Sequence, residues 1–288
     1  MSEFSIKDIG LKVGLEIHQQ LATNKKLFCN CSPIESDEYT IKFQRKLRAV
    51  KSELGEYDPA ALFEKSKSKT IMYYANPQSS CLVEHDEEPP HDLDEDAKKI
   101  TLVIASALRS NIFSEIYPMR KIVIDGSNTT GFQRTMLVSQ GGFIDVDNEK
   151  VGVQSISLEE DAAKLLGDKG LIREYSLDRL GIPLVEIALE PVEGEPKKIR
   201  NIALSLGRLL RSTKRVTRGI GSIRQDVNVS VKNGGIVEVK GVQHLDQLEN
   251  IVEFEAKRQY GLIKIAEKIS NSKFRSISKE KDVFEITN

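Results

Sequence analysis

In the stretch VGLEIHQQL, residues 13–21, an acid and an imidazole stand two positions apart, with Val13, Leu15 and Ile17 alternating against Gly14, Glu16 and His18. Such alternation belongs to a strand with one apolar face, and its period of two turns Glu16 and His18 to the same side. A single Glu-x-His reads as a wet strand face. The pattern recurs, however. GIPLVEIALEP opposes Glu186 and Glu190 to Val185, Ile187 and Leu189, and GSIRQDVNVSVK opposes Arg224, Asp226, Asn228 and Ser230 to Ile223, Val227, Val229 and Val231. IVEVKG sets Glu238 and Lys240 against Val237 and Val239, and VQSISLEED ends its alternation of Ile156 and Leu158 at Glu159 and Glu160.

Placed on one concave sheet, these carboxylates would repel one another and take up protons unless a cation neutralised them. Hard oxygen donors with one imidazole suit Mg²⁺ or Mn²⁺ better than zinc. Mg²⁺ held by few carboxylates and completed by phosphate oxygens is the arrangement of ATP-using enzymes, in which Arg224 and Lys240 would neutralise charge on a transferring phosphoryl group. The competing readings are a solvated sheet face and, for the two cations, ion pairs with strand neighbours.

The elements that would position such a face are legible in outline. DLDEDAKKITLVIASALRS reads as a helix, with Leu93, Ala97, Ile100, Ile104, Ala107 and Leu108 at helical spacing, acids early and Arg109 late. MRKIVIDGSNTTGFQRTMLV reads as strand, loop and strand; GGFIDVDNEKVGVQSISLEED reads as a hairpin turning at Asp147-Asn148, followed by a short helix DAAKLLG. GEPKKIRNIALSLGRLLRS places Pro196 near a helix start, with Ile199, Ala203, Leu206 and Leu210 on one stripe. HLDQLENIVEFEAKRQYG supplies a further helix, with Asp246 and Glu249 at capping-box spacing and Gly261 as its stop. The first ninety residues read as loops with short helical or strand pieces. Irregular alternation with closely spaced strands predicts an α+β domain on a largely antiparallel sheet with helices on one side. Neither GxGxxG nor GxxxxGK[ST] follows a strand, which argues against a doubly wound nucleotide fold.

Composition sets the class. The 288 residues are 39% hydrophobic and 30% charged, as expected of a soluble globular protein. Forty-two Lys and Arg against 43 Asp and Glu give a net charge of -1, so nucleic acid or membrane cannot be held by bulk charge alone. The one basic run, RLLRSTKRVTRG at 208–219, is either a local contact to nucleic-acid phosphates or an ordinary solvated helix end. Three cysteines, no visible secretion signal and no membrane-length apolar run point to the reducing cytoplasm.

The segments GLEIHQQL, LFCNC, CLVEHDEEPPH, RKIVIDGSNTTGFQRT, SISLEEDAAK, LDRLGIPLVEIALEP, GSIRQDVNVSV and VEVKGVQHLDQL occur in this order between about residues 10 and 262. Together they resemble the GatB/GatE family, which comprises the E-type component of the archaeal glutamyl-tRNA(Gln) amidotransferase and its sister, the bacterial and organellar B-type component; DGSNTTGFQRT is similar to the E branch. The resemblance implies a cradle domain similar to glutamine synthetase and guanido kinases, over residues 1–262. It also implies a ligase that uses Mg-ATP to phosphorylate the γ-carboxylate of glutamate carried by tRNA(Gln), then amidates it with ammonia from an asparaginase-like D subunit in a hetero-oligomer. An acyl phosphate makes a poor acyl donor into a good one.

On the resemblance, Glu16, His18 and Glu160 match Mg²⁺-binding positions, Glu159 sits beside them, and Asp226, Glu238 and Glu186 are candidates for metal or ammonia handling. Arg224 and Lys240 are assigned to phosphate charge. Arg120 and Lys121, with backbone N–H groups of Gly126 and Gly131, are expected to hold ATP phosphates, an ordinary turn being the alternative. Cys29 and Cys31 with Cys81 and His85 could make a Cys₃His zinc site; otherwise they are two exposed thiols and a buried one. His91 and His244 read as surface or cap residues. Residues 263–288 resemble the start of the family's aspartyl-tRNA-synthetase-like insertion, so the chain reads as a truncated member. Two other functions fit a truncated chain: a non-catalytic scaffold that docks the ammonia-producing subunit, and a metal-dependent hydrolase with no use for ATP.

Overall fold

The computed structural model describes residues 9–271 apart from 37 and 53, so residues 272–288 of the expected insertion start lie outside the described residues. In chain order the elements are β1 (Lys12–Gln20), β2 (Ile41–Lys46), α1 (Pro59–Ser66), β3 (Thr70–Ala75), α2 (Glu95–Ala107), β4 (Asn111–Ile112), β5 (Met119–Ile122), β6 (Phe132–Gln140) and β7 (Phe143–Val146). They continue with β8 (Glu149–Glu160), β9 (Lys164–Lys169), β10 (Ile172–Ser176), β11 (Pro183–Leu189), β12 (Val192–Glu193), α3 (Pro196–Ser212), β13 (Ile223–Ser230), β14 (Val237–Val242) and α4 (Leu245–Asn271).

A 10-stranded sheet runs β14-β13-β1-β11-β8-β6-β4, with β12 beside β1, β5 beside β6 and β7 beside β8. Each of its pairings is antiparallel. This is the α+β architecture expected from the sequence. The strands read as having one polar face, β14, β13, β1, β11 and β8, are consecutive neighbours here. Their apolar alternates, among them Val13, Leu15, Ile17, Ile156, Leu158, Val185, Ile187, Val227 and Val229, are buried in one core with α2, α3 and α4.

Local chemistry explains the frame. Asp147 and Asn148 both take positive φ, 50° and 65°, the conformation that a two-residue hairpin turn requires, and they join β7 to β8 as expected. Asp94 caps α2 by accepting the Ala97 N–H at 2.9 Å, and Glu95 and Asp96 occupy its first turn, where the helix dipole favours anions. Pro196 stands in the first turn of α3, which buries Ile199, Ala203, Leu206 and Leu210 as the stripe requires.

Two expectations give way. DAAKLLG is not a helix: Lys164 begins β9, which pairs with β10, because hydrogen bonding to a neighbouring strand overrides the weak helical preference of a stretch ending in glycine. Gly261 does not stop α4, which continues to Asn271. The polar stretch before residue 90 holds the short helical and strand pieces expected of it, and its β2 and β3 enter a second sheet, ordered β2-β3-β10-β9, whose β3–β10 pairing is parallel.

Ile17 is fully buried between sheet and helices, so Ile17→Ala removes packed methylenes from under the site. The expected cost is about 2–5 kcal/mol, measured by denaturant unfolding. A loss under about 0.5 kcal/mol would show that this face does not anchor the sheet.

Candidate active site

Strand register brings the acids together. On central β1, His18 stands opposite Glu186 of β11 and Arg224 of β13, while Glu16 stands opposite Asp226 of β13. Glu159 of β8 lies opposite Leu184 of β11 and Thr135 of β6. Ligand atoms of His18, Glu159 and Glu186 all lie within 4.8 Å of one another, and so do those of Glu16, Asp226 and Glu238. The sheet thus carries two adjacent acidic groups on the face away from its helices.

Neighbours orient each group. His18 Nε2 is 3.1 Å from Glu186 Oε2, while His18 Nδ1 is buried without a hydrogen-bond partner. The Thr135 hydroxyl and, at 3.1 Å, the Gln133 amide donate to Glu159. Lys121 Nζ reaches in from β5, 3.7 Å from both Glu159 Oε1 and Glu186 Oε2. In the second group, the Gly241 N–H donates to Asp226 at 2.7 Å, Asn228 donates to Glu16 at 3.4 Å, and Lys240 Nζ lies 3.0 Å from Glu238.

Crowding shows in the protonation of these groups. Burial, reinforced by the charge of Glu186, pushes the Glu159 carboxyl above the usual range. Burial also raises Glu16, with Glu186, Glu238 and Asp226 adding to the effect. Burial alone would raise Glu186, but its hydrogen bond and charge interaction with His18, then Lys121, outweigh it and hold Glu186 low. Burial would lower Lys121, yet Glu159, Glu186 and Glu16 together raise it. One carboxyl of the Glu159–Glu186 pair therefore retains a proton where an exposed acid would have lost it.

Glu160 does not join His18 and Glu16. Adjacent residues of β8 point to opposite faces, and Glu160 accepts from the Arg134 guanidinium at 3.1 Å and from its backbone N–H at 3.2 Å, on the far side. Arg120, in register with Arg134, has its guanidinium over the Phe132 ring at 5.2 Å, while Lys121 reaches Glu159 and Glu186. Gly131 is not free to bind phosphate, because its N–H donates to the Asn128 carbonyl at 3.0 Å. Gly126 and Gly131 take positive φ, 89° and 80°, and close the loop against Leu47, Val50 and Ile71.

Asp161 has no counterpart among the residues expected at the site. It is fully buried, accepts from Gln20 at 2.8 Å, lies 3.4 Å from the Arg224 guanidinium and 3.8 Å from Arg179 Nε. It holds Arg224 at the end of the acidic face. Gln133 and Thr135 also escape sequence reasoning, although their i, i+2 spacing ahead of the LEED segment places them on one side of a strand.

A separate cluster joins Cys29, Cys31 and Cys81 to Glu84, not to His85. His85 packs its ring on Phe43 at 5.0 Å and leaves Nε2 buried without a partner. Glu84 accepts from the Cys29 thiol and the Cys81 N–H, both at 2.8 Å, and fully buried Lys26 lies 3.8 Å away. Burial opposes ionisation of Glu84, but Lys26 and these donors prevail and hold it low. Burial pushes the Cys81 thiol up to about 11, and the Cys31 hydrogen bond with burial raises Cys29 further. Cys29 is buried and the other two thiols are half-buried.

Comparison with known proteins identifies the family. Residues 11–284 match the family model described as the GatB/GatE catalytic domain. The chain is 54% identical over 280 residues to the E-type component of the glutamyl-tRNA(Gln) amidotransferase of Saccharolobus solfataricus, covering 97% of this chain and 43% of that protein. It is 53% identical over 279 residues to the protein of the same name in Saccharolobus islandicus, covering 97% and 43%, and 51% identical over 280 residues to that of Sulfurisphaera tokodaii, covering 97% and 44%. The chain thus spans less than half the length of these curated relatives, and with the family model matched across nearly all of it, it belongs to the GatB/GatE family.

Proposed function

We propose that this chain carries the nucleotide-dependent, amide-forming site of a tRNA-dependent amidotransferase. In this reading it converts Glu-tRNA(Gln) to Gln-tRNA(Gln) with Mg-ATP and with ammonia from an asparaginase-like D subunit, in a hetero-oligomer of the cytoplasm. The observation that carries it is the convergence of His18, Glu159 and Glu186 within 4.8 Å on one sheet face, with Lys121 beside them and a second acidic group next door. The donor set fits Mg²⁺: hard carboxylates with one imidazole, one of the carboxyls, Glu159, raised by burial and by the charge of Glu186. His18, Glu159 and Glu186 would hold the ion, which supplies charge neutralisation at the terminal phosphate of ATP.

The chain's own groups divide the remaining work. Glu186 orients the His18 ring through Nε2. Lys121 and Arg224, the latter held by Asp161, flank the site and offset negative charge developing on a phosphoryl group and on the glutamate carboxylate. Glu16, raised by burial and then by its acidic neighbours, and Asp226 with Glu238 would take a proton from attacking ammonia at a carboxylate oxygen, with Lys240 balancing Glu238. Cys29, Cys31, Cys81 and Glu84 would hold a structural zinc, replacing the thiol protons. Chain purified with zinc should lose that metal on Cys81→Ser and unfold at a lower temperature; a metal-free, equally stable wild type would reject the zinc site.

Linkage fixes the pH dependence. Glu16 and Glu159 lie above their unfolded-state values, so between those values the metal-free fold carries more protons than the unfolded chain, and its stability falls as pH rises through the raised range. Glu186 acts oppositely: its contribution is present above the unfolded value and is lost as pH falls through the lowered one. Calorimetry with Mn²⁺ should therefore show proton release within the raised range and tighter binding above it. Glu159→Gln should raise metal-free stability at neutral pH by about 1 kcal/mol, roughly 2–4 °C, and abolish the Mn²⁺ response. Retention of that response would remove Glu159 from the metal site.

The chemical reading is tested by incubating the chain with Mg-ATP, ammonium and Glu-tRNA(Gln) and following ADP. ADP formation should depend on the misacylated tRNA and fall at least about 100-fold in His18→Ala with the fold retained. Phosphate release indifferent to tRNA would indicate a hydrolase; no ADP with partner binding intact would indicate a scaffold.

A further inference from the structure

The basic run at 208–219 divides in the structure. Arg215 turns to Asp96, at 2.6 Å, whereas Arg211 and Arg218 line a cavity of about 450 Å³ between the end of α3, the start of α4 and the loop before β13. His244 lines it from the start of α4. Among the described residues none of these three cations has an ion pair, and no aspartate or glutamate lines the cavity. A solvated helix end would scatter its cations into water; here they share one concavity.

The walls are built, not loose. Gln19, 2% exposed, directs its amide N–H groups to the carbonyls of Gln20, Thr217 and Ser222 at 2.9, 3.0 and 3.0 Å, and the Ser222 hydroxyl donates to the Gly219 carbonyl at 2.8 Å. These bonds fix the loop on both sides of Arg218. Arg211 Nε donates to the Gly207 carbonyl at 3.2 Å, which lays its guanidinium along α3; even a Cβ at residue 207 would stand 4.0 Å from one of its terminal nitrogens.

Two further features favour an anion. α4, 27 residues long, begins at Leu245 on the cavity, and a helix N-terminus offers partial positive charge and first-turn N–H groups. Its first-turn acid, Asp246, is engaged by Arg200 at 2.8 Å and is not part of the lining. Gln225 lines the cavity at 1% exposure and makes no side-chain hydrogen bond among the described residues. An unpaired buried carboxamide costs stability, which a ligand oxygen accepting from its amino group would restore.

We propose that this cavity is a binding site for a phosphate ester, its oxygens held by Arg211, Arg218 and His244 with the first turn of α4 and the Gln225 amino group beside them. Guanidinium forks match phosphate oxygens in pairs, and several cations around one cavity suit a multiply charged tetrahedral anion better than a single carboxylate. Gln19 and Gln225 alternate with His18, Arg224 and Asp226 along β1 and β13, so the cavity lies on the helix side of the sheet and the acids on the other. The phosphate bound here is therefore held, not transferred. It belongs either to a nucleic-acid backbone or to a small free phosphate, and both carry the same chemistry.

Titration calorimetry in metal-free buffer of low ionic strength, where no cation bridges phosphate to the acidic face, tests the site with two probes: inorganic phosphate, and a short single-stranded RNA without terminal phosphates. At least one probe should bind wild type, and Arg211→Ala and Arg218→Ala should each weaken it at least about tenfold. Lys214→Gln, which removes one positive charge from the same run but off the cavity, should change it less than about twofold. RNA binding that shares the losses identifies a backbone phosphate as the natural ligand; losses confined to inorganic phosphate identify a small free phosphate. Both arginines are exposed, so their variants should keep the fold, checked by circular dichroism, and either one carries the test alone. Binding of neither probe, or affinities that both arginine variants leave within about twofold, would overturn the site.

Discussion

Mutual repulsion among carboxylates confined to one side of a sheet governs this molecule. Glu16, Glu159, Glu186, Asp226 and Glu238 are drawn into two adjacent groups, and the nearby cations Lys121 and Lys240 offset them only in part. Burial removes the water that would otherwise spread that charge, and with the charge of Glu186 it raises the Glu159 carboxyl, while His18 and Lys121 hold Glu186 low. A face arranged in this way is poorly suited to being empty solvent-facing surface. In the proposed reading a compact cation would relieve that repulsion.

What keeps the acids from swinging apart is the opposite face. Ile17, Val185, Ile187, Val227 and Val229 are locked under α2, α3 and α4, and their burial fixes the register of β1, β11 and β13. A slip by one residue would bury Glu16 and His18 and expose the core, so the hydrophobic pattern specifies the active face as strictly as it specifies the fold. Stability and function are therefore properties of alternate residues in the same strands.

Much of this was legible in the sequence because a period of two is a local property. The five polar-faced strands and the Asp147-Asn148 turn follow from it directly, and the helix stripes follow in the same way from a period of 3.6. What remained hidden depends on partners distant in sequence. Glu159 and Glu160 are neighbours of the same type, and only the pairing of β8 with β6 and β11 decides that the first faces His18 and the second faces Arg134. The same applies to DAAKLLG, whose strand conformation exists because β10 is beside it, and to Glu84, which takes the place expected for His85 because the chain between Cys81 and His85 turns it inward. Asp161 gave no signal at all: a lone aspartate after two glutamates acquires its role only when β1 and β13 bring Gln20 and Arg224 to it. Family resemblance named a chemistry that residue patterns left open, and strand geometry decides which acids share a face.

The most direct measurement of the central claim is anomalous diffraction from crystals of the chain soaked in Mn²⁺. The account predicts a peak bonded to His18, Glu159 and Glu186, with Lys121 moved back from the carboxylates. Ordered crystals with no peak there, or an ion gathered instead at Glu160, would contradict it.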